Sequence, residues 1–275
     1  MNIIFFGTPD FAMPVLEALI KNGYNVSHFQ TKSLKDEQTF EDFKFLNPDL
    51  CVVAAYGKIL PARYLDVPKH GFVNVHPSLL PKYRGPSPVQ TAILNGDPVV
   101  EISDAYSINK PKSHYGASTE TGVTIMLMDE LVDHGPILAQ KTYNLQPTTY
   151  NLQASKELFE LGAELLVKTL PGYINGELKP KEQDHSQATF TKMFTREDGR
   201  INWDDPAQKI YNRIRALNPE PGTWTTWKGK VINIKKAGLS DSNIHIQTIQ
   251  MEGKKEMPFE EFLRGQPSFD ISQLK

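Results

Sequence analysis

The chain has 275 residues, and its 30 lysines and arginines nearly balance its 32 aspartates and glutamates. A chain of this length can form one or two domains, each with its own hydrophobic core. The near-zero net charge excludes a protein whose whole surface binds nucleic acid by electrostatic attraction. The single cysteine, Cys51, excludes an internal disulfide and a cysteine-cluster zinc site. The N-terminus has no basic stretch before its apolar residues and carries an acid at Asp10, and no apolar run is long enough to span a membrane. These features predict a cytoplasmic protein with no membrane contact.

The first part of the chain alternates strand and helix patterns. An apolar run at 3–6 is followed by helical spacing of apolar residues at 15–20 and by a second apolar run at 26–29. Residues 50–55 and 72–75 are continuously apolar, which is typical of strands buried on both faces of a parallel sheet. The pattern predicts an α/β domain with a mostly parallel, Rossmann-like sheet.

The pattern of apolar and polar residues changes near the middle of the chain. Leucines at helical spacing predict a helix over 152–173, which closes a first domain over 1–174. A polar stretch at 175–187 is interpreted as a linker. Beyond it, short β-type runs separated by glycine and asparagine turns predict a second domain over 188–275, a small β-barrel or sandwich.

Two polar side chains alternate at the end of a predicted strand. Asn74 and His76 are two residues apart and therefore point to the same face, at the strand end where open α/β sheets bind ligands. An amide can donate to a developing oxyanion, and an imidazole can polarise it or move a proton, as acyl transfer requires. A structural histidine with satisfied hydrogen bonds fits the pattern equally well.

Acidic residues follow the predicted strand 121–128. Asp129, Glu130 and Asp133 are each able to orient and charge His76, and their spacing does not choose among them. Asp133 precedes His134, but no second ligand cluster supports a metal site. The first turn, Gly7–Phe11, lacks the further glycines of a phosphate loop, which argues against a bound nucleotide there.

Six segments of the chain carry a family resemblance. Four lie in the first predicted domain: FFGTPDFA at 5–12, AYGKILP at 55–61, NVHPSLLPKYRGPSPVQTAI at 74–93 and TGVTIMLMDELVDHGPIL at 121–138. Two lie in the second: TKMFTREDGRINW at 191–203 and RALNPEPGTWTTWKGK at 215–230. In order along most of the chain, they resemble first the catalytic domain and then the C-terminal β-barrel domain of the methionyl-tRNA formyltransferase family.

The resemblance implies transfer of a formyl group from 10-formyltetrahydrofolate to the α-amino group of methionyl initiator tRNA, by a monomer that needs no metal or nucleotide. It assigns catalysis to Asn74, His76 and Asp133. The folate contact falls on the family's SLLP loop, here Ser78, Leu79, Leu80 and Pro81. For the second domain, the resemblance implies an OB-like β-barrel that binds tRNA through a basic face. The candidate tRNA contacts are Arg84, Lys228, Lys230, Lys235 and Lys236. These lysines also fit a solvated strand edge.

Three features depart from the family. The segment after His28–Thr31 is shortened, and in the family it carries the loop that faces the tRNA acceptor arm. An insertion at Pro98–Glu120 contains Tyr106, His114 and Tyr115; it is either a plain surface loop or a replacement for the missing one. His134 stands where the family has threonine, next to the proposed catalytic carboxylate.

Two other functions fit parts of the sequence. A sugar-nucleotide N-formyltransferase uses the same donor and catalytic residues and needs no acceptor-arm loop. A catalytically impaired tRNA-binding module would explain the shortened segment. Retention of Asn74, His76 and Asp133 together argues against the second alternative, because a decayed site has no need of all three.

Overall fold

The computed structural model describes residues 1–31, 33–96, 119–271 and 274. The chain divides into two compact units. The first comprises Met1–Pro88, Thr121–Asn144 and Ser155–Lys192, and the second comprises the described residues of Val89–Glu120, Leu145–Ala154 and Met193–Lys275. Along this described part of the chain, no helix is both long and apolar enough to cross a membrane.

The first unit is built on a six-stranded sheet with the order β2-β1-β3-β4-β5-β6. Its strands are β1 (Asn2–Gly7), β2 (Asn25–His28), β3 (Leu50–Ala54), β4 (Phe72–His76), β5 (Thr119–Leu127) and β6 (Ile137–Leu145). Strands β1 to β4 run parallel, and β5 is antiparallel to β4. The predicted mostly parallel sheet is therefore confirmed. Strand β2, which precedes the shortened segment, is an edge strand.

Helices cover both faces of this sheet because alternate residues of the strands point to opposite sides. Phe5, Val52 and Val75 pack on one side with α1 (Met13–Lys21) and α5 (Asn151–Ile174). Phe6, Cys51 and Phe72 pack on the other side. They meet Phe43 of α2 (Glu37–Phe45) and Tyr64 of α3 (Ala62–Leu65).

The pleat of β4 fixes the direction of two predicted site residues. Val73 and Val75 are buried in the core on the α1 and α5 side. Asn74 and His76 therefore point to the opposite side, as the alternation predicted. His76 is the last residue of the strand, and only 4% of it is exposed. A short helix, α4 (Pro88–Asn95), follows the loop that leaves this strand.

The second unit contains a four-stranded antiparallel sheet with the order β10-β9-β8-β7. Its strands are β7 (Thr223–Trp227), β8 (Lys230–Ser240), β9 (Asn243–Met251) and β10 (Glu256–Pro258). The hairpin between β7 and β8 turns at Lys228 and Gly229, both with positive φ, the two-residue turn that suits twisted strands.

The predicted OB-like barrel is not confirmed. A barrel requires its first and last strands to pair, and among the described strands β7 and β10 stay as the edges of an open sheet. Two helices, α6 (Ala207–Leu217) and α7 (Phe259–Gly265), cover the apolar face instead. They contribute Ile210, Ile214 and Phe262 to its core. Short alternating strands with turn residues are common to both architectures, so the sequence pattern could not separate them.

The insertion Pro98–Glu120, with Tyr106, His114 and Tyr115, lies outside the described residues apart from the backbone of 119 and 120, which begin β5. The segment 175–187, interpreted as a linker, belongs to the first compact unit. Its backbone pairs with β6 through two hydrogen bonds between Ile137 and Lys181, at 2.7 and 2.8 Å.

Candidate active site

Three donors or potential donors converge on the carboxylate of Asp133. The Asn74 amide nitrogen Nδ2 donates to Oδ1 at 3.3 Å, and the His76 ring nitrogen Nδ1 lies 3.5 Å from the same oxygen. The backbone N–H of Gly85 donates to Oδ2 at 2.8 Å. The structure thus brings the three sequence-predicted catalytic residues together, although they come from a strand and a distant loop.

The His76 ring has an oxygen atom near each of its nitrogens. Nε2 lies 3.0 Å from the backbone carbonyl oxygen of Tyr83, opposite the side that faces Asp133. A carbonyl oxygen can only accept, so Nε2 carries the hydrogen in this contact. A doubly protonated imidazole can donate to both partners at once. The ring is therefore held in one orientation before any substrate arrives.

Asp133 lies in a loop with an unusual backbone conformation. Its φ angle is +48°, in the left-handed region that residues with a side chain rarely adopt. Two positions further on, Gly135 lies so close to the strand before it that a Cβ would come within 2.2 Å of the Leu127 carbonyl oxygen. Gln183 donates from Nε2 to the carbonyl oxygens of Asp133 at 2.9 Å and Gly135 at 2.7 Å.

The structure separates the three candidate carboxylates. Asp129 accepts from the backbone N–H of Leu131 and contacts His134 Nδ1 at 2.6 Å. Glu130 is exposed. Only Asp133 lies beside Asn74 and His76. His134, the departure from the family pattern, stacks its ring on His185 with centroids 4.1 Å apart and planes 4° from parallel.

Beyond His76 the predicted folate-contacting loop, Ser78, Leu79, Leu80 and Pro81, is fixed by a buried hydroxyl. Thr124 Oγ1 donates to the Ser78 carbonyl at 2.6 Å and accepts from the Leu80 N–H at 3.1 Å. Gln140 Nε2 donates both to that hydroxyl and to the Leu80 carbonyl. Sequence analysis did not identify Thr124 or Gln140, because their hydrogen bonds reach a loop more than 40 residues away in sequence.

Arg84 does not lie where a tRNA contact requires it. It is only 3% exposed, and its guanidinium donates to Gln183 Oε1 at 2.7 and 3.2 Å and lies 2.8 Å from His185 Nδ1. A buried guanidinium with these partners cannot reach a phosphate without leaving the core of its domain. The position of Arg84 therefore argues against its predicted contact with tRNA.

The four predicted lysines are spread along one hairpin of the second unit. Lys228 lies in the β7–β8 turn and Lys230 directly follows it, and Lys228 Nζ contacts Ser268 Oγ at 2.9 Å. Lys235 and Lys236 lie further along β8, beside a surface cavity of about 390 Å³ that also includes Tyr150. Lys235 forms an ion pair with Glu256 at 3.4 Å. Lys230 and Lys236 are exposed.

Two arginines of the same unit were missed by the sequence analysis. The guanidinium groups of Arg196 and Arg200 lie 5.6 and 5.5 Å from the ring centre of Trp224. Both arginines are exposed, and Arg196 also donates to Asn233 at 2.9 Å. Arg196 begins the short 3₁₀ helix Arg196–Gly199, and Arg200 directly follows it. The sequence of this segment has neither helical nor strand periodicity.

In the portion of the chain that the structure describes, His, Cys, Asp and Glu side chains form no group of three or more arranged to hold a metal ion. The chemistry available at Asp133 is that of a carboxylate, an amide and an imidazole. Such a set can stabilise an oxyanion and move a proton.

Comparisons with known proteins match both parts of the chain. Residues 10–170 match the family model described as formyl transferase, and residues 193–245 match the formyl transferase C-terminal domain. A methionyl-tRNA formyltransferase of Chloroflexus aurantiacus is 40% identical over 274 residues, which cover 88% of this chain and 82% of the relative.

Two solved structures share the fold. The methionyl-tRNA formyltransferase from Clostridium thermocellum has a TM-score of 0.67 at 22% identity and covers 91% of this chain and 98% of its own. HypX from Aquifex aeolicus, in complex with tetrahydrofolic acid, has a TM-score of 0.73 at 16% identity and covers 95% of this chain and 46% of its own. Together, the two domain matches and the extent of the identity show that the chain belongs to the methionyl-tRNA formyltransferase family.

Proposed function

We propose that this protein transfers the formyl group of 10-formyltetrahydrofolate to the α-amino group of methionyl initiator tRNA, with Asn74, His76 and Asp133 as its catalytic residues. The observation that carries the proposal is the convergence of an amide nitrogen and an imidazole nitrogen on one oxygen of Asp133, at 3.3 and 3.5 Å. Family membership supplies the reaction class, and this geometry supplies groups suited to it.

The reaction begins when the neutral amine attacks the formyl carbon and the carbonyl electrons move onto the oxygen. The nitrogen–carbon bond to the folate then breaks, the folate nitrogen gains a proton, and the amine loses one. An α-amino group has an ordinary pKa of about 7.7 to 8.0, so its neutral form is well populated near neutral pH. Positioning and stabilisation of the oxyanion are therefore the main demands on the protein.

Asn74 and His76 are suited to stabilising the oxyanion. Asn74 Nδ2 carries two hydrogens, and the contact with Asp133 uses one of them. His76 Nε2 donates to the Tyr83 carbonyl when the site is free of substrate. An oxyanion carries a full charge and is a stronger acceptor than a neutral carbonyl, so it would compete for that hydrogen.

The proton transfer falls to His76 and Asp133. The Asp133 carboxylate lies 3.5 Å from His76 Nδ1 and keeps the ring oriented. When His76 carries a proton, it can give that proton to the leaving folate nitrogen, and Asp133 can help to accept the proton that the amine loses, in part through water.

We assign the donor contact to Ser78, Leu79, Leu80 and Pro81. This loop directly follows His76, so a folate held against it places its formyl group near the catalytic residues. Ser78 and Thr124 are fully buried, and the hydrogen bonds around Thr124 keep the loop in one shape. A rigid wall beside a strand end is a suitable support for a flat ring system.

We assign the acceptor contact to basic residues of the second domain, taken as 188–275 and joined by the 175–187 segment to a catalytic domain at 1–174. Lys228, Lys230, Lys235 and Lys236 supply positive charge along β8 for tRNA phosphates. Arg196 and Arg200 add two further cations on the same unit. The protein is proposed to act as a monomer in the cytoplasm, where translation begins.

Sequence similarity supports a tRNA acceptor over an amino-sugar nucleotide. The relative that is 40% identical is named methionyl-tRNA formyltransferase, and a model of the C-terminal domain matches residues 193–245. The impaired-module alternative has no support from the site, because Asn74 and His76 both lie beside the Asp133 carboxylate.

An acceptor comparison tests the proposal. Purified protein with 10-formyltetrahydrofolate is given methionyl initiator tRNA, methionyl elongator tRNA or amino-sugar nucleotides, and the formylated product is measured. We expect rapid formation of formylmethionyl initiator tRNA and much slower reaction with the other acceptors. Preferential formylation of the amino sugars, or no turnover with any acceptor, would contradict the proposal.

A further inference from the structure

We infer that Gln183 is a positioning residue that sets the catalytic carboxylate of Asp133. The inference rests on the proposed function, since it concerns the geometry of the same site. Gln183 belongs to a segment interpreted from sequence as a linker, yet it is buried, with 5% of its surface exposed. Each part of its amide group has a defined partner in the first unit.

The amide nitrogen of Gln183 holds the Asp133 loop at two points. Nε2 donates to the carbonyl oxygen of Asp133 at 2.9 Å and to that of Gly135 at 2.7 Å. These two carbonyl groups belong to the residues directly before and directly after His134. A single side chain therefore fixes the loop on both sides of residue 134.

The loop needs such support because its conformation is not a favoured one. Asp133 has a φ of +48°, which persists only where surrounding contacts determine it. Its carboxylate must still reach Asn74 and His76 on β4. A loop that relaxes toward a common backbone conformation would turn the Asp133 side chain and lengthen both contacts.

The orientation of the Gln183 amide is itself determined. Arg84 donates from two guanidinium nitrogens to Gln183 Oε1, at 2.7 and 3.2 Å, which leaves Nε2 facing the two carbonyls. The same guanidinium lies 2.8 Å from His185 Nδ1, and the His185 ring stacks on His134. Arg84 thus connects Gln183 to the stacked pair of His185 and His134, which is a second contact with the Asp133 loop. This role accounts for the burial of Arg84.

This arrangement predicts an effect on turnover and not on substrate binding. Misplacement of a catalytic group by about 1 Å can lower the rate by up to about 100-fold. Gln183 contacts backbone atoms of Asp133 and Gly135, so its loss should change the chemical step while leaving the folate loop and the tRNA contacts in place.

The test uses Gln183→Glu in the full chain. The substitution keeps the side-chain length and the Arg84 partner but replaces the donating amide with a carboxylate that cannot donate to either carbonyl. The matched control is Gln187→Glu, the same chemical change at an exposed position of the same segment. Steady-state kcat and both KM values are measured with 10-formyltetrahydrofolate and methionyl initiator tRNA, beside thermal unfolding.

We expect kcat of Gln183→Glu to fall about 10- to 100-fold with both KM values within about 2-fold of the parent, and Gln187→Glu to match the parent. An unchanged kcat in a folded Gln183→Glu protein overturns the inference, as does a loss confined to KM. If Gln183→Glu does not fold, Gln183→Met provides the test, with the same expected loss of kcat and the same contradicting result. Failure of the parent chain to form formylmethionine overturns the proposed function itself, which separates the two outcomes.

Discussion

The side-chain amide of Asn74 donates to the carboxylate of Asp133 at 3.3 Å, across 59 positions of sequence. The first residue belongs to β4, whose backbone is fixed by pairing with strands on both sides. The second belongs to a loop held by hydrogen bonds from Gly85 and Gln183. The contact therefore joins a rigid strand to a supported loop, and the proposed chemistry depends on that junction.

Asn74→Asp tests this contact directly. The change removes both amide hydrogens and places a second carboxylate beside Asp133, where like charges repel. We expect kcat to fall about 100- to 1,000-fold, the usual cost of losing an oxyanion donor, with a small change in KM. Asn175→Asp, at an exposed position after α5, is the control and should keep the parent rate. Equal rates for both variants would count against the role of Asn74.

Thr124→Val tests the support of the folate-contacting loop. The substitution keeps the shape of a fully buried side chain but leaves the Ser78 carbonyl and the Leu80 N–H without their partner. The expected cost is about 1–3 kcal/mol of stability and a higher KM for 10-formyltetrahydrofolate. Thr169→Val is the control, because the Thr169 hydroxyl donates to the Leu165 carbonyl within its own helix. A folate KM equal to that of the parent would show that the loop does not depend on Thr124.

The lysines at the β7–β8 turn can be tested by salt dependence. The double variant Lys228→Gln and Lys230→Gln should raise the KM for tRNA and leave the KM for the folate donor unchanged. The logarithm of the tRNA affinity falls linearly with the logarithm of the salt concentration. Each replaced lysine that binds a phosphate should reduce the steepness of that line by about 1. The control is Lys254→Gln with Lys255→Gln, two exposed lysines near the β9–β10 turn. If both pairs changed the slope equally, the turn lysines would not form a specific contact.

Cys51 provides a probe of the central sheet. It is fully buried in β3, and burial raises the pKa of its thiol, so the reactive thiolate is scarce even in mildly alkaline solution. We expect a disulfide reagent such as DTNB to label no thiol in the folded protein at pH 8 and one thiol per chain in denaturant. Rapid labelling of the native protein would show that β3 is not buried as described.

The regular elements of the first unit were largely predictable because they follow simple periodicities. The predicted strands 3–6, 50–55 and 72–75 correspond to β1, β3 and β4, and the predicted helix at 152–173 corresponds to α5. Helix α2 was missed because its nine residues include five charged or amide side chains and only one buried residue. In the second unit, local patterns predicted short strands but not whether the sheet would close.

The site could be predicted only in part. Asn74 and His76 followed from alternation on one strand, whereas the choice of Asp133 over Asp129 and Glu130 came from family resemblance and now has contact geometry to support it. Gln183, Thr124 and Gln140 could not be found, because hydrogen bonds between distant segments leave no local signal in sequence. The burial of Arg84 could not be predicted either, since an arginine in a loop gives no indication that it is buried.

The central claim is that Asn74, His76 and Asp133 form a formyl-transfer centre, and His76→Ala tests it most directly. The measurement is the single-turnover rate of formylation of methionyl initiator tRNA at saturating 10-formyltetrahydrofolate, with His245→Ala, an exposed histidine of β9, as control. We predict a loss of at least about 100-fold for His76→Ala and a parent-like rate for His245→Ala. A folded His76→Ala protein that formylates the tRNA at the parent rate would contradict the account.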